Sequence, residues 1–334
     1  AAGLNALGAA TSGDDNIAIG RLALGAGTLT GGVNIAIGAT AGDAITSGAC
    51  NIAIGLNALT AATDNCDNIA IGKSALAASV NDADNNIAIG TTALGGADVS
   101  GANNIAIGTT SMDALTSGAC NIALGLNALG QATTGCFNIA LGSTAMGGAV
   151  TTGIQNIMIG TNAGDAITDG NNSIGIGHGA YGAAIGGSDG IAIGKNALSG
   201  AVTGHMNIAI GCAAGDAITS GACNIAMGEN ALGASTTGCD NIAIGQSALA
   251  VSDGDGDCNI AIGQLALGAA DVSGANNIAV GFAASQTLTS GGQNVAIGRS
   301  AMSGVTTGDN NVAIGCSTLS GGVLVGCENI AIGS

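Results

Sequence analysis

Two histidines, His178 and His205, are the side chains best suited to general-base or metal chemistry in this chain. Neither has a Cys, Asp or His at metal-ligand spacing. Serine and aspartate are plentiful, but they recur in turn-like segments with no histidine to complete a nucleophilic triad. Both histidines therefore read as solvated turn residues. Asp253, Asp255 and Asp257 alternate with glycine in the manner of a calcium loop, where such acids supply hard oxygen ligands. The glutamate expected at the twelfth position is absent, and the related stretch Asp82-Ala83-Asp84 keeps two of the three acids. This set is the one metal candidate, weighed against a plain acidic turn; no other cofactor is implied. Ten cysteines point to an oxidising compartment.

Composition narrows the function classes. The chain has 334 residues, of which 47% are apolar, 7% charged and 1% aromatic, with 62 glycines and no proline or tryptophan. Disorder calls for low hydrophobicity, collagen for glycine at every third position, and a membrane helix for about 20 apolar residues in a row; none of these fits. The net charge is −17, and the four bases, Arg21, Lys73, Lys195 and Arg299, are too scattered in sequence to form a patch. Nucleic acid and anionic lipid are therefore poor partners, and no membrane insertion is expected. Nearly all the acids are Asp, which favours turns over helices.

What must position these residues is a repeat. The pentad Asn-Ile-Ala-Ile-Gly, or a close variant, begins at residues 16, 34, 51, 68, 86, 104, 121, 138, 156, 173, 190, 207, 224, 241, 259, 277, 294, 311 and 329, always 17 or 18 residues apart. A spacing of this kind marks stacked supersecondary units. Ala and then Leu or Met usually follow three residues past the glycine, and a polar Gly/Asn/Asp turn closes the unit. So much glycine argues against helix. Two short strands and two turns per unit predict one coil of a parallel β-solenoid, all-β, with about 20 coils of 17–18 residues. Residues 1–334 read as a single solenoid domain. Residues 43–72 match 216–245 at 24 of 30 positions, and the likeness runs on weakly over 43–106 and 216–279, as a block duplication would leave it.

Volume is conserved between units. Gly42, Gly164 and Gly215 stand where other units have Leu, and Ile45, Ile167 and Ile218 follow three residues later, whereas Leu59 is followed by Ala62. The first pentad position is Asn in all units but two, Ser173 and Gly190. Asn16, Asn34, Asn51, Asn68, Asn86, Asn104, Asn121 and Asn138 are thus expected to stack as a hydrogen-bonded ladder. The threonine column (Thr46, Thr63, Thr116, Thr133, Thr168, Thr219, Thr236, Thr289, Thr306) reads as a second ladder; its rival is an ice-binding face, which calls for sustained Thr-x-Thr pairs. Strict alternation in Ile-Ala-Ile puts the isoleucines on one side and Ala on the other. With Ile17 and Ile19 taken as inward, the Ala column, Ala123 and Ala140 among it, becomes an outward stripe for assembly. The segment Asn172 to Tyr181 breaks the pattern and holds the one Tyr, as a kink, a small recognition spot or simple divergence. Phe137 and Phe282 are isolated contacts or corner fillers.

Three cysteine pairs share a template: Cys50/Cys66, Cys120/Cys136 and Cys223/Cys239. The first of each lies one residue before a pentad and the second two before the next, which predicts the same corner of adjacent coils. A coil spacing of about 4.8 Å lies within the Cα range of disulfides. Cys212, Cys258, Cys316 and Cys327 lack a template partner; Cys258 could compete for Cys239.

The pentad, two variable residues, Ala-Leu and a Thr/Ser-Gly turn resemble the head repeats of trimeric autotransporter adhesins, the YadA-like left-handed β-roll, and related tail-fibre repeats of phage and bacteria. The resemblance covers essentially the whole chain. It implies a left-handed β-roll, an extracellular, cell-surface or virion location, trimerisation, and a role in adhesion or as a spacer. The stalk, anchor and chaperone domain of that family are missing from this sequence. The expectation is a non-enzymatic structural protein, an extracellular fibre or filament subunit or a fibre segment, with adhesion to an unknown receptor as a further use. An ice-binding solenoid is the alternative from another class, and a calcium-stabilised tail-fibre shaft a more distant one. The expected partner is the chain itself, as a homotrimer or a head-to-tail filament. The second form follows because residues 1–15 and 329–334 are both partial coils that could complete each other.

Overall fold

A computed structural model describes residues 1–334 except 26, 81–82, 253–255 and 322–325. The protein is an all-β parallel solenoid with 19 three-residue strands, one at each pentad, and no helix among the described residues. It divides into two compact units, Ala1–Asp169 and Gly170–Ser334. The first holds β1 (Ile17–Ile19) through β9 (Ile157–Ile159), and the second β10 (Ile174–Ile176) through β19 (Ile330–Ile332). Within each unit every strand pairs in parallel with the next, pentad against pentad: Ile17 lies beside Ile35, and Ile191 beside Ile208.

Each coil has one strand rather than two, because the backbone turns at four positions of positive φ. These are the residue before the pentad (Cys50, φ 59), the pentad glycine (Gly55, φ 138), and the second and fourth residues after it (Asn57, φ 57; Leu59, φ 52). The left-handed conformation costs a residue with a Cβ about 1–2 kcal/mol, so it persists only where neighbours impose it. Here inter-coil hydrogen bonds do so, such as Asn57 N–H to the Ala39 carbonyl and Leu59 N–H to the Ala75 carbonyl. The Ala-Leu segment therefore stacks from coil to coil as a corner, not as a strand. Glycine is obligatory in the pentad, since a Cβ on Gly55 would lie 2.4 Å from the Gly72 carbonyl oxygen.

The strand's facing is the reverse of the expectation. Ala18, Ala36, Ala123, Ala140 and Ala192 are fully buried, whereas Ile17 is 47% exposed and Ile193 37%. Ala123 and Ala140 thus belong to the core and form no outward assembly stripe. A coil of 17 residues encloses a narrow cross-section. Its far wall already supplies Leu59, Leu76 or Leu129, all buried, so only a small side chain fits behind the strand. The glycine–isoleucine exchange is visible in the same core. A Cβ on Gly42 would meet Ile45 Cδ1 at 2.9 Å, and one on Gly215 would meet Ile218 Cδ1 at 2.9 Å. Ile45 and Ile218 therefore occupy the space that a leucine fills elsewhere.

Candidate functional surface

The pentad asparagines run through the interior. Asn51 is 1% exposed, and its Oδ1 accepts from the backbone N–H and the Nδ2 of Asn68 at 3.0 and 3.2 Å. Its Nδ2 donates to Asn34 Oδ1 at 3.0 Å and to the Asn65 carbonyl at 2.7 Å. The same backbone link joins Asn16 to Asn34, Asn68 to Asn86, Asn86 to Asn104, Asn104 to Asn121, and Asn121 to Asn138. Thus the amides meet both the neighbouring amide and the closing turn, and a buried polar column leaves little unsatisfied. Threonine hydroxyls are spent in the same way. Thr46 donates to the Thr63 carbonyl at 2.9 Å, Thr116 to Thr133 at 2.9 Å, and Thr289 to Thr306 at 2.8 Å.

The ladder is replaced at the one tyrosine. Tyr181 is fully buried, so it is part of the core and not a surface recognition spot. Its ring takes the place of a leucine, and its hydroxyl reaches the ladder column: a Cβ on Gly190 would lie 1.6 Å from that oxygen. Glycine at 190 and the small Ser173 make the room. Burial, chiefly, with the charge of Asp189 in support, pushes the phenol up to about 12 against the opposing influence of the nearby Ser173 hydroxyl, and the phenol oxygen itself has no hydrogen-bond partner among the described residues. His178 starts the same corner, and its carbonyl accepts from Asn196 N–H.

All ten cysteines are free, which overturns the pairs Cys50/Cys66, Cys120/Cys136 and Cys223/Cys239. The two template positions are adjacent columns, not one. Cys50 stacks by its backbone on Gly32, whereas the Cys66 thiol turns to the backbone N–H of Ala49 and accepts from it at 3.4 Å. Cys136 and Cys239 do likewise with Ala119 and Ala222. The column two residues before the pentad is a row of side-chain acceptors for the N–H of the coil before it. Asp84 serves Cys66 at 2.7 Å, His205 Nδ1 serves Ser188 at 3.1 Å, and Asp309 serves Gly292 at 2.8 Å. This role was legible in the recurrence of Cys, Asp, Ser and His at that place and was missed. Asp257 belongs to the same column, its Oδ1 accepting from Cys239 N–H at 2.7 Å. Asp253 and Asp255 lie outside the described residues. Among the described residues no three His, Cys, Asp or Glu side chains gather as a metal site.

The outer face of the strands carries the most distinctive surface. In each pentad its second and fourth residues point outward, making two rows of aliphatic side chains. Ile17, Ile19, Ile122 and Leu124 are exposed in the first unit, and Ile193, Ile244 and Ile297 in the second. Large apolar side chains extend both margins: Val33, Phe137 and Met206 one residue before the pentad, and Leu126 and Phe282 just after it. Charge is sorted between those margins. Arg21, Lys73, Lys195 and Arg299, every base in the chain, follow a pentad glycine directly, whereas Asp15, Asp67, Asp189, Asp240 and Glu328 precede a pentad; all nine are exposed. The bases are scattered in sequence but take the same place in their coils, Arg21 and Lys73 in the first unit and Lys195 and Arg299 in the second.

Arg299 Nη2 donates to Cys316 Sγ at 3.4 Å, and this lowers the thiol's pKa. Gln246 bridges Glu229 and Gln264, both at 3.0 Å. No pocket opens among the described residues, and no helix there is long and apolar enough to cross a membrane. No family model, curated protein or solved structure matches this chain.

Proposed function

We propose that the chain is a non-enzymatic structural protein, an extracellular fibre subunit or fibre segment that acts by self-association. The observation that carries this reading is the outward Ile-x-Ile face, repeated on strand after strand. A contiguous apolar surface of that extent on a protein normally meets another surface. The repeated architecture supports it, since a stack of like coils builds length rather than a unique cleft. Spending the threonine hydroxyls on neighbouring carbonyls weighs against the ice-binding alternative, which needs them free in a regular array.

Sedimentation and electron microscopy of the purified full chain test the proposal, with thermal hysteresis measured on the same sample. Rods or filaments larger than a single chain, without hysteresis, are the expected result. A monodisperse monomer that depresses the freezing point would overturn it in favour of ice binding.

A further inference from the structure

We infer that the outward Ile face is covered by a second copy of this chain lying parallel and in register. The inference rests on the self-association proposed above and adds its direction. Three of the four bases sit in coils whose own leading residue is an acid: Asp15 with Arg21, Asp67 with Lys73, and Asp189 with Lys195. A three-residue strand lies between the members of each pair, Ile17–Ile19, Ile69–Ile71 and Ile191–Ile193 in turn, so they flank the Ile rows from opposite sides. Among the described residues none of these bases forms an ion pair within the chain.

Two such faces can be pressed together in two simple ways. Within either unit, with the two-fold axis along that unit's stacking direction, the leading margin of each coil lies opposite the trailing margin of the same coil in the other copy. Asp15 then faces Arg21 of the partner subunit, Asp67 faces Lys73 of the partner subunit, and Asp189 faces Lys195 of the partner subunit. No coil opposes like charges: Glu229, the one acid on the trailing margin, faces Cys223, and Asp240 faces Gln246. The apolar margins match as well, with Cys50 opposite Leu56, Cys120 opposite Leu126, and Met206 opposite Cys212. With the axis along the strands, leading meets leading and trailing meets trailing. Acids would then oppose only acids or neutral residues, and bases would oppose other bases, neutral residues or the lone Glu229. Charge of this kind sets orientation more than affinity; affinity comes from the isoleucines. A stable interface needs roughly 800 Å² per partner, so the contact must run over many coils rather than one.

Charge exchange tests the direction. One variant carries Asp15→Lys, Asp67→Lys and Asp189→Lys; a second carries Arg21→Asp, Lys73→Asp and Lys195→Asp; a third carries all six. Sedimentation equilibrium at low salt should show self-association weakened at least tenfold in each of the first two and restored in the third. The third variant and the unaltered chain should each self-associate without mixing, because in parallel register the mixed pair opposes like charges. Preferential mixing would establish the antiparallel arrangement and overturn the inference. Self-association that ignores the charges would overturn it too, placing the contact on another face, while the self-association reading would survive. A monomeric unaltered chain would remove both. Circular dichroism checks that each variant is folded, and the milder pair Asp67→Asn and Lys73→Gln repeats the test if a triple variant is not.

Discussion

The Asn34–Asn51–Asn68 stretch and the coils around Tyr181 solve one problem in two ways. In the first, three amides fill the column beside the strand and bond to one another and to the turns. In the second, the column is vacated at Gly190, narrowed at Ser173, and filled from across the core by a phenol. A polar ladder is therefore one way to close the coil, not a requirement of it. What both stretches conserve is volume and a polar atom at the same place.

Putting the amide back where the tyrosine lies breaks the second solution most severely. Gly190→Asn sets a side chain on the Tyr181 hydroxyl and is expected to cost about 3 kcal/mol in denaturant unfolding of the full chain. Tyr181→Leu in the same chain should recover most of the loss; a full loss that persists would mean that the two residues do not compete for space. Removing an amide from the regular stretch comes next. Asn51→Ala strands the Asn68 N–H and the Asn65 carbonyl in the interior, an expected loss of about 2–3 kcal/mol by the same measurement.

The tyrosine also separates the two stretches by pH. Its folded pKa, about 12, lies above the ordinary value of 10.0, so the neutral form favours the fold. That contribution is fully present below pH 10 and is lost as pH rises through about 12. Unfolding free energy should fall by about 2 kcal/mol over this window, and Tyr181→Phe should remove the fall. As the only tyrosine, it reports its own ionisation by ultraviolet absorbance.

The smallest effect concerns the carboxylates of Asp113, Asp165 and Asp216. Burial pushes each upward, opposed for Asp113 and Asp165 by the backbone N–H groups of Gly96 and Gly148. A raised carboxyl favours the fold below its unfolded value, and that contribution fades as pH rises through the folded one. Asp165→Asn should therefore raise the melting temperature only slightly at pH 7, because solvent screens the partly exposed carboxylate, and make no difference near pH 3.

Much of this was legible in the residues. The pentad spacing located every strand, and the pairing of Gly42 with Ile45 foretold a shared core. Alternation, however, says which residues share a face, not which face is inside. Hydrophobicity favoured Ile17 over Ala18 as the buried residue, and the narrow coil decided otherwise. The cysteine pairs failed for a related reason. A one-residue difference in place before the pentad is a change of column, and Cys66 found a backbone partner instead of Cys50. The sorted margins of the outer face were visible only when Arg21, Lys73, Lys195 and Arg299 were placed on coils rather than along a line.

The stacking hydrogen bonds have a consequence for how such a chain grows. Ile52 reaches Asn68, and Leu232 reaches Ala248; the partners are one coil apart wherever they lie. The sequence separation of contacts therefore does not increase with length, and each added coil meets the same loop-closure entropy as the one before. Folding can start at any coil and zip outward. Genetic copying of a whole block is then nearly neutral for foldability, because a copied block needs to match only the two coils at its borders. The kinship of residues 43–72 with 216–245 is the trace that such a history would leave.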